Sequence, residues 1–470
     1  MKKLFGTDGI RGLANSYPMT SEMTLSLGQA IGYFLRNRPE IAAKSTLPVG
    51  LKPLGSNLPT RRIKVVIGKD TRLSGYMIEN ALASGLLSMG VDVYLIGPLS
   101  TPGVAFVTQS MRADAGVMIS ASHNSYQDNG IKLFSAQGYK FDDGVEKEIE
   151  DLVLSKKPSE HCPTEDLIGK AYRIDDAVGR YLVFLKSLFP NNLDLHGVRV
   201  ALDCANGASY KVAPTVFEEL GAEVIPVGIK PNGLNINKKC GALFPETVAS
   251  TVVEYRADIG ISLDGDGDRC ILSDENGEIV DGDQIIGLCA LQMAKQGKLK
   301  QNTVVTTPMS NLGLEQTLKE NGIQMIRAQV GDRYIVESMR KNNYNLGGEQ
   351  SGHMIFLDQA TTGDGIVAAL KVLEIMRTTK KKLSELKKEI KIFPQVCENV
   401  KVSKKTPFEQ VDAVWSLIEK AKKELKDNGR VFVRYSGTEP LARVMLEGEN
   451  HTVIEKWSKD IAQQISQDLG

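Results

Sequence analysis

Three stretches of this chain share one order of features. "IKVVIGKDTRLSG" (63–75), "VRVALDCANGAS" (198–209) and "NTVVTTPMSNLG" (302–313) each read as a β-branched strand entering a polar loop. Each is followed by a helical stretch that ends near a glycine: Gly90, Gly221 or Gly322. Glycine there suits a left-handed helix C-cap. A second strand-like run follows: "VDVYLIG", "AEVIPVG" and "IQMIRAQVG". A further strand then leads to a loop dense in chemistry. These are "ADAGVMIS" into "ASHN", "ADIGISLD" into "GDGDR", and "NYNLGG" into "EQSGH". The repetition predicts an α/β protein of three related modules with mixed sheets. Each module aims one loop at a shared cleft, because ligands of α/β sheets sit at the carboxyl ends of strands.

The last part of the chain differs. "PFEQVDAVWSLIEKAKKEL" is amphipathic and helical, and "GRVFVRYS" and "LARVMLEGE" are strands around a tight turn. Val453, Trp457, Ile461 and Ile465 recur every four residues, as on one helix face. This predicts a smaller C-terminal α+β domain of order β-α-β-β-α. A length of 470 residues exceeds one ordinary core. The expected domains are 1–178, 179–281, 282–393 and 394–470. Residues 36–64 carry four prolines and little periodicity, so a loop insertion is expected inside the first domain.

Composition narrows the function. Lys+Arg and Asp+Glu both number 57, so the chain lacks the basic excess of a general nucleic-acid binder. A small anionic substrate held by a few local cations remains open. No pair of the six cysteines has C-x-x-C spacing, which predicts reduced, mostly buried thiols. "MKKLFGTDGIRG" has no apolar stretch of the signal-peptide kind, and no window holds 18 consecutive apolar residues. A cytoplasmic protein without a membrane span is expected.

Five loops hold candidate chemistry. In "SLDGDGDRC", Asp264, Asp266 and Asp268 alternate with glycine. Three converging carboxylates repel one another unless a divalent cation sits between them. An EF-hand is excluded, because Arg269 stands where that loop needs glycine and the preceding segment reads as a strand. A Mg²⁺ site is expected instead. In "RYSGTEPLAR", Arg434 and Arg443 flank Ser436, Gly437 and Thr438. Small residues let backbone N–H groups face one anion, and arginine adds bidentate contacts. A hairpin turn with incidental arginines is the plain alternative. "GGEQSGH" offers Glu349 and Ser351 to sugar hydroxyls, and His353 to move a proton near neutral pH. "GTDGIRG" places Arg11 in a glycine-rich loop.

The fifth loop, "SASHNSYQDNGIK", holds Ser120, Ser122, His123 and Lys132. A Ser-His-Asp triad is not indicated, since adjacent residues such as Ser122 and His123 rarely present nucleophile–base geometry. A serine can instead carry a phosphoryl group. The aspartate loop would then be its partner, with Lys132 and Arg269 sharing the charge.

The motifs "SASHNSYQDNGIK", "DGDGDR", "GGEQSGH" and "RYSGTEPLAR", in that order, resemble the α-D-phosphohexomutase superfamily, over essentially the whole chain apart from 36–64. "LFGTDGIRG", "SASHN" and "GGEQSGH" are similar to its glucosamine-type branch. The resemblance implies four domains, three of them related. It implies that Ser122 carries the phosphoryl group, supplied first by a kinase, by self-phosphorylation or by a sugar 1,6-bisphosphate, and that Asp264, Asp266 and Asp268 hold Mg²⁺ together with the Ser122 phosphate. Arg269 and Arg11 then lie near the transferring phosphate. Lys132 and His353 are the acid–base candidates, and His123 adjoins the nucleophile. Glu349 and Ser351 contact sugar hydroxyls. Arg434, Ser436, Gly437, Thr438 and Arg443 hold the substrate's other phosphate. Ser120, where glucose- and mannose-type relatives often have threonine, is expected to bear on substrate choice. The implied reaction interconverts hexosamine 6- and 1-phosphates through a bisphosphate, in a cytoplasmic enzyme that feeds amino-sugar nucleotide synthesis, with a homodimer as one assembly the resemblance allows. A glucose- or mannose-type mutase, a serine-phosphoenzyme phosphatase and a silent sugar-phosphate sensor are the alternatives. Two departures stand out. Ser125 replaces the family's usual proline, which would loosen the loop. Lys69 replaces a common arginine and loses its planar fork.

Overall fold

The computed structural model describes residues 4–6, 8–38, 62–436 and 440–470. The chain forms two compact units. One comprises Met1–Pro308 and Ile326–Lys387; the other comprises Met309–Met325 and Lys388–Gly470.

The larger unit contains the three repeated sheets. The first holds β1 (Ile10–Leu13), β2 (Lys64–Lys69), β3 (Asp92–Pro98), β4 (Ala115–Ile119), β5 (Asp128–Ser135) and β6 (Ala171–Arg173). Its order is β1-β5-β4-β2-β3-β6. The strands β4, β2, β3 and β6 run parallel, and β5 and β1 add antiparallel edges. β4 is buried along its whole length, as expected of a parallel strand covered on both faces. Helices Ser21–Asn37 and Ser74–Ser88 pack on this sheet through Leu27, Ile31, Leu35, Ile78, Leu82 and Leu86. The second sheet holds β7 (Arg199–Asp203), β8 (Glu223–Val227), β9 (Ile259–Leu263), β10 (Cys270–Asp274) and β11 (Ile279–Val280), in the order β11-β10-β9-β7-β8. In the third, β12 (Thr303–Thr306) pairs in parallel with β13 (Leu346–Gly348), which pairs antiparallel with β14 (Met354–Phe356).

The predicted glycine caps are present. Gly90, Gly221 and Gly322 have φ of +76°, +100° and +70°. The repeat thus holds at the level of strand, helix, strand and loop. The predicted insertion is narrower than 36–64: the first helix runs on to Asn37 and β2 begins at Lys64, while most of the segment lies outside the described residues.

The smaller unit has the predicted β-α-β-β-α order. β15 (Gln395–Lys401), β16 (Gly429–Tyr435) and β17 (Leu441–Gly448) form an antiparallel sheet with β17 in the centre. Helices Asp412–Leu425 and His451–Leu469 cover one face, and Val414, Ile418, Val444, Leu446, Ile454, Ile461 and Ile465 form the core. Helix Leu312–Glu320 also belongs to this unit. Asn311 ties it down by a reciprocal pair of 2.9 Å hydrogen bonds with the backbone of Phe393. Among the described residues no helix is long and apolar enough to cross a membrane. Cys204, Cys240, Cys270 and Cys289 are buried thiols, whereas Cys162 and Cys397 are exposed.

Candidate active site

Ser122 lies in the loop between β4 and β5, with φ of +52°. A left-handed conformation costs a residue with a Cβ about 1–2 kcal/mol, so its surroundings must hold it. Arg72 does so from the loop after β2. Its Nη2 donates to the carbonyls of Ser122 and Asn124, both at 2.9 Å, and its Nη1 to those of Ser125 and Asp128. Asp70 fixes the guanidinium, accepting from Nε at 2.7 Å. Ser120 is fully buried under the loop. Its hydroxyl donates to Asp70 at 2.6 Å and accepts from the Ser122 amide at 2.9 Å. These two bonds occupy the Ser120 side chain in supporting the Ser122 loop. The Ser125 carbonyl is held by Arg72 and by the Asp128 amide, at 3.2 Å. Lys69 faces elsewhere. It pairs with Glu79 and lies 4.0 Å over the Tyr76 ring, so the planar fork at this loop is Arg72.

The Ser122 hydroxyl donates to Asp264 Oδ2 at 2.7 Å. It also lies 3.2 Å from His123 Nδ1. The two neighbours therefore do meet, in the left-handed turn, contrary to the expectation from adjacency. Among the described residues no carboxylate bonds His123, so no triad forms. Burial holds the His123 pKa down at about 4, helped by the charges of Arg269 and Arg11.

Asp264, Asp266 and Asp268 converge in the loop between β9 and β10. Each offers an oxygen within 4.8 Å of the others, and all three are buried. Burial, then the charges of Asp268 and Asp266, hold the Asp264 carboxyl well above its usual range. The Asp266 Oδ1 atom is buried with no hydrogen-bond partner, and Asp268 Oδ1 has His353 Nδ1 at 3.5 Å. A hard oxygen left without a donor in a buried acidic cluster fits a divalent cation. Thr101 steadies the loop, donating from Oγ1 to Asp266 Oδ2 at 2.6 Å and from its amide to the Asp266 carbonyl at 2.8 Å.

Lys132, on β5, donates to Asp266 at 2.8 Å and to Asp268 at 3.2 Å. From there the charges alternate and close on themselves. Lys132 lies 3.3 Å from Asp8, Asp8 pairs with Lys140, and Lys140 lies 2.5 Å from Asp332. Asp332 lies 3.5 Å from His353 Nε2, and His353 Nδ1 lies 3.5 Å from Asp268. Burial opposes the Lys132 charge, but Asp266, Asp8 and Asp268 more than offset it and raise its pKa well above the ordinary value. Burial likewise opposes the His353 charge, yet Asp268 and Asp332 lift its pKa to about 8. Lys140 and Asp332 also line a cavity of about 710 Å³, with Tyr139, Arg333, Arg340 and Thr362.

The other predicted residues of this unit converge on the same place. Arg269 follows the aspartates, its amide donating to Asp264 at 3.1 Å. Its backbone bridges His353, and Asp268, Asp264 and Glu349 stabilise its charge against burial. Glu349 and Ser351 share the turn before His353, with Ser351 Oγ 3.3 Å from Glu349. Arg11, on β1, pairs with Asp8.

The remaining predicted residues belong to the smaller unit. Arg434 and Arg443 stand directly opposite each other on β16 and β17. Like charges in that position repel, and an anion between them would relieve the repulsion. Ser436 is buried, and its carbonyl accepts from Lys405 at 2.6 Å. Gly437 and Thr438 lie outside the described residues.

Several residues that hold this site together escaped the sequence reading: Asp8, Asp70, Arg72, Thr101, Lys140 and Asp332. The pair Asp70-x-Arg72 carried a signal, an arginine in a polar loop directly after a strand. Lys140 and Asp332 carried none, because only the fold brings them together.

The four domains of the phosphoglucomutase/phosphomannomutase family match in order: domain I at residues 2–51 and 52–160, domain II at 180–277, domain III at 281–393 and the C-terminal domain at 398–464. The fold resembles a phosphoglucomutase/phosphomannomutase family protein from Burkholderia thailandensis, with a TM-score of 0.77 at 20% identity, covering 99% of this chain and 98% of that one. It also resembles Aspergillus fumigatus N-acetylphosphoglucosamine mutase, solved in complex with GlcNAc-6P and magnesium, with a TM-score of 0.64 at 17% identity over 99% and 96% of the two chains. Fold and site define a phosphosugar mutase, an isomerase. The sequence is 55% identical to the phosphoglucosamine mutase of Citrifermentans bemidjiense, over 100% of this chain and 99% of that protein. It is 56% identical to that of Geobacter metallireducens over the full length of both. The chain belongs to the phosphoglucosamine mutase family.

Proposed function

We propose that this enzyme interconverts glucosamine 6-phosphate and glucosamine 1-phosphate through a phosphorylated Ser122 and a bound 1,6-bisphosphate. The observation that carries the reading is the Ser122 hydroxyl, held left-handed 2.7 Å from Asp264 in a buried acidic cluster. A sugar hydroxyl attacks the phosphorus. The bond from phosphorus to Ser122 Oγ breaks as the bond to the sugar oxygen forms. The intermediate then turns end for end, and the other phosphoryl group returns to Ser122.

Asp264, Asp266 and Asp268 would hold Mg²⁺, which offsets the charge of the transferring group. Arg269 and Lys132 bring fixed positive charge to the same place, and Arg11 adds to it. Lys132 and His353 serve as the acid–base pair, both supplied with neighbouring carboxylates. His123 contacts the nucleophile directly. Glu349 and Ser351 orient sugar hydroxyls. Arg434, Ser436, Gly437, Thr438 and Arg443 hold the phosphate that is not reacting, so that remote binding orients the reacting end. The division at 1–178, 179–281, 282–393 and 394–470 assigns these tasks in turn: phosphoserine, metal, sugar and distal phosphate. The enzyme would act in the cytoplasm and supply amino-sugar nucleotide synthesis.

The test compares kcat/KM on glucosamine 1-phosphate and glucose 1-phosphate, with Mg²⁺ and a trace of sugar bisphosphate. A glucosamine preference that disappears in Ser122→Ala is expected. A glucose preference would move the protein to a sister branch, release of inorganic phosphate would make it a phosphatase, and full activity in Ser122→Ala would remove the phosphoserine.

A further inference from the structure

Between β8 and helix Glu246–Tyr255 the chain runs from 228 to 245 without a helix or strand. Long connections of this kind in compact folds are usually functional. This one is tied at several points. The Gly228 carbonyl accepts from the Asn206 amide at 2.6 Å, and the Gly241 amide donates to Asp203 at 2.6 Å. Its Gly233 carbonyl accepts from the Leu73 amide at 3.0 Å, beside Arg72. At its centre is Asn237, buried, with φ of +57°. Asparagine tolerates that conformation better than most residues. Its amide donates to the carbonyl of Ala205 at 2.9 Å.

The Asn237 side chain reaches the nucleophile loop. Nδ2 donates to the Ser122 carbonyl and to the Asn124 carbonyl, both at 2.9 Å. These are the two carbonyls that Arg72 Nη2 also bonds. A carbonyl oxygen has two lone pairs, so each is saturated by one donor from either residue. The two donors differ in origin. Arg72 comes from the same module as Ser122, whereas Asn237 comes from the module that carries the aspartates. On the aspartate side, Gly265 is pressed against the pair: a Cβ there would lie 2.6 Å from the Ser122 carbonyl oxygen and 2.8 Å from Asn237 Nδ2.

We infer that Asn237 is a positioning residue, which registers the Ser122 loop of the first module against the aspartate loop of the second. The inference rests on the transfer chemistry proposed above. Arg72 alone keeps both carbonyls hydrogen-bonded, so loss of the Asn237 amide leaves no orphaned group and little cost to folding. What it releases is the placement of Ser122 relative to Asp264. Misplacing a reacting group by about 1 Å costs roughly a hundredfold in rate.

The test uses the full-length protein with Mg²⁺, glucosamine 1-phosphate and a trace of bisphosphate. Asn237→Gly keeps the left-handed backbone and removes only the donors. It is expected to lower kcat roughly tenfold to a hundredfold, with KM within about twofold. Its melting midpoint is expected to stay within about 3 °C. Asn237→Asp turns acceptors toward two carbonyls and is expected to be worse. Amide exchange in 120–126 should quicken in Asn237→Gly while the sheet cores keep their protection. Unchanged kcat in Asn237→Gly, or loss of protection and of midpoint throughout the chain, overturns the inference. If the unmodified protein turns over no sugar phosphate, the reaction reading fails, and exchange in 120–126 still decides whether the latch exists.

Discussion

His353 Nε2 lies between two groups of opposite character: the Asp332 carboxylate at 3.5 Å and the Gly363 amide, which donates to it at 3.2 Å. A charged imidazolium finds its partner in Asp332, and a neutral ring finds one in Gly363. Neither protonation state leaves the nitrogen orphaned in this buried position.

Asp332→Asn removes the partner of the charged state. In metal-free protein the His353 pKa is expected to fall from about 8 toward the ordinary 6.5. The sign follows from the folded value lying above the unfolded one. The stabilisation is complete below pH 6.5 and is lost as pH rises through about 8. An NMR titration of the histidine ring in chelator-treated protein measures it, and an unmoved midpoint would mean that Asp332 does not act on His353.

Metal binding is expected to release a proton. Burial and the neighbouring carboxylates hold the Asp264 carboxyl up in metal-free protein, and a bound cation requires it ionised. Calorimetry in buffers of different ionisation heat should show proton release that fades as pH rises, with affinity for Mg²⁺ rising with pH. Asp264→Asn should remove the proton release, and chelation should lower the melting midpoint of the unmodified protein.

Arg72→Met is expected to destabilise by about 3–5 kcal/mol, the usual cost of stranding one member of a buried ion pair. Both Arg72 and Asp70 have fully buried side chains, so the pair is little screened. Urea unfolding of the larger unit would measure the loss. A change below about 1 kcal/mol would place the clamp among exposed pairs.

Gly265→Ala is expected to fold and to lose activity. Its new methyl meets a carbonyl oxygen and an amide nitrogen at under 3.0 Å, so either the Ser122 loop or the aspartate loop must move. A crystal structure of the variant would show which, and wild-type kcat would contradict the close approach.

An anion site on β16 and β17 predicts stabilisation by inorganic phosphate. Arg434 and Arg443 are cross-strand neighbours of like charge, a pairing that an anion beside them would favour. Phosphate should raise the melting midpoint of the smaller unit. Arg434→Ala should reduce that gain and raise KM for sugar phosphate more than it lowers kcat.

The fold was legible because its signals are local. A β-branched run, a polar loop and a capping glycine each declare themselves within a dozen residues, and Gly90, Gly221 and Gly322 took the left-handed caps expected of them. The aspartate trio was legible for the same reason, since its three members sit within five positions. What escaped was long-range. Asp8, Lys140 and Asp332 are distant in sequence and mean nothing singly, yet they join the two acid–base candidates. Ser120 is expected to bear on substrate choice because glucose- and mannose-type relatives often have threonine there; what the sequence does not show is that its hydroxyl turns inward to Asp70. The Ser122–His123 contact was dismissed on adjacency, which presumes an ordinary backbone, and Ser122 does not have one.

Arg72 grips the nucleophile loop only by carbonyl oxygens, at 122, 124, 125 and 128. Every amino acid supplies that atom. The grip is therefore indifferent to spelling: side chains along the loop can be exchanged while its path is kept. Ser125 illustrates this, offering the same oxygen that a proline would. Variation within the loop is cheap, whereas variation at Arg72, far off in sequence, is not. A library randomised at 124–128 should yield many active members, and one randomised at 72 almost none.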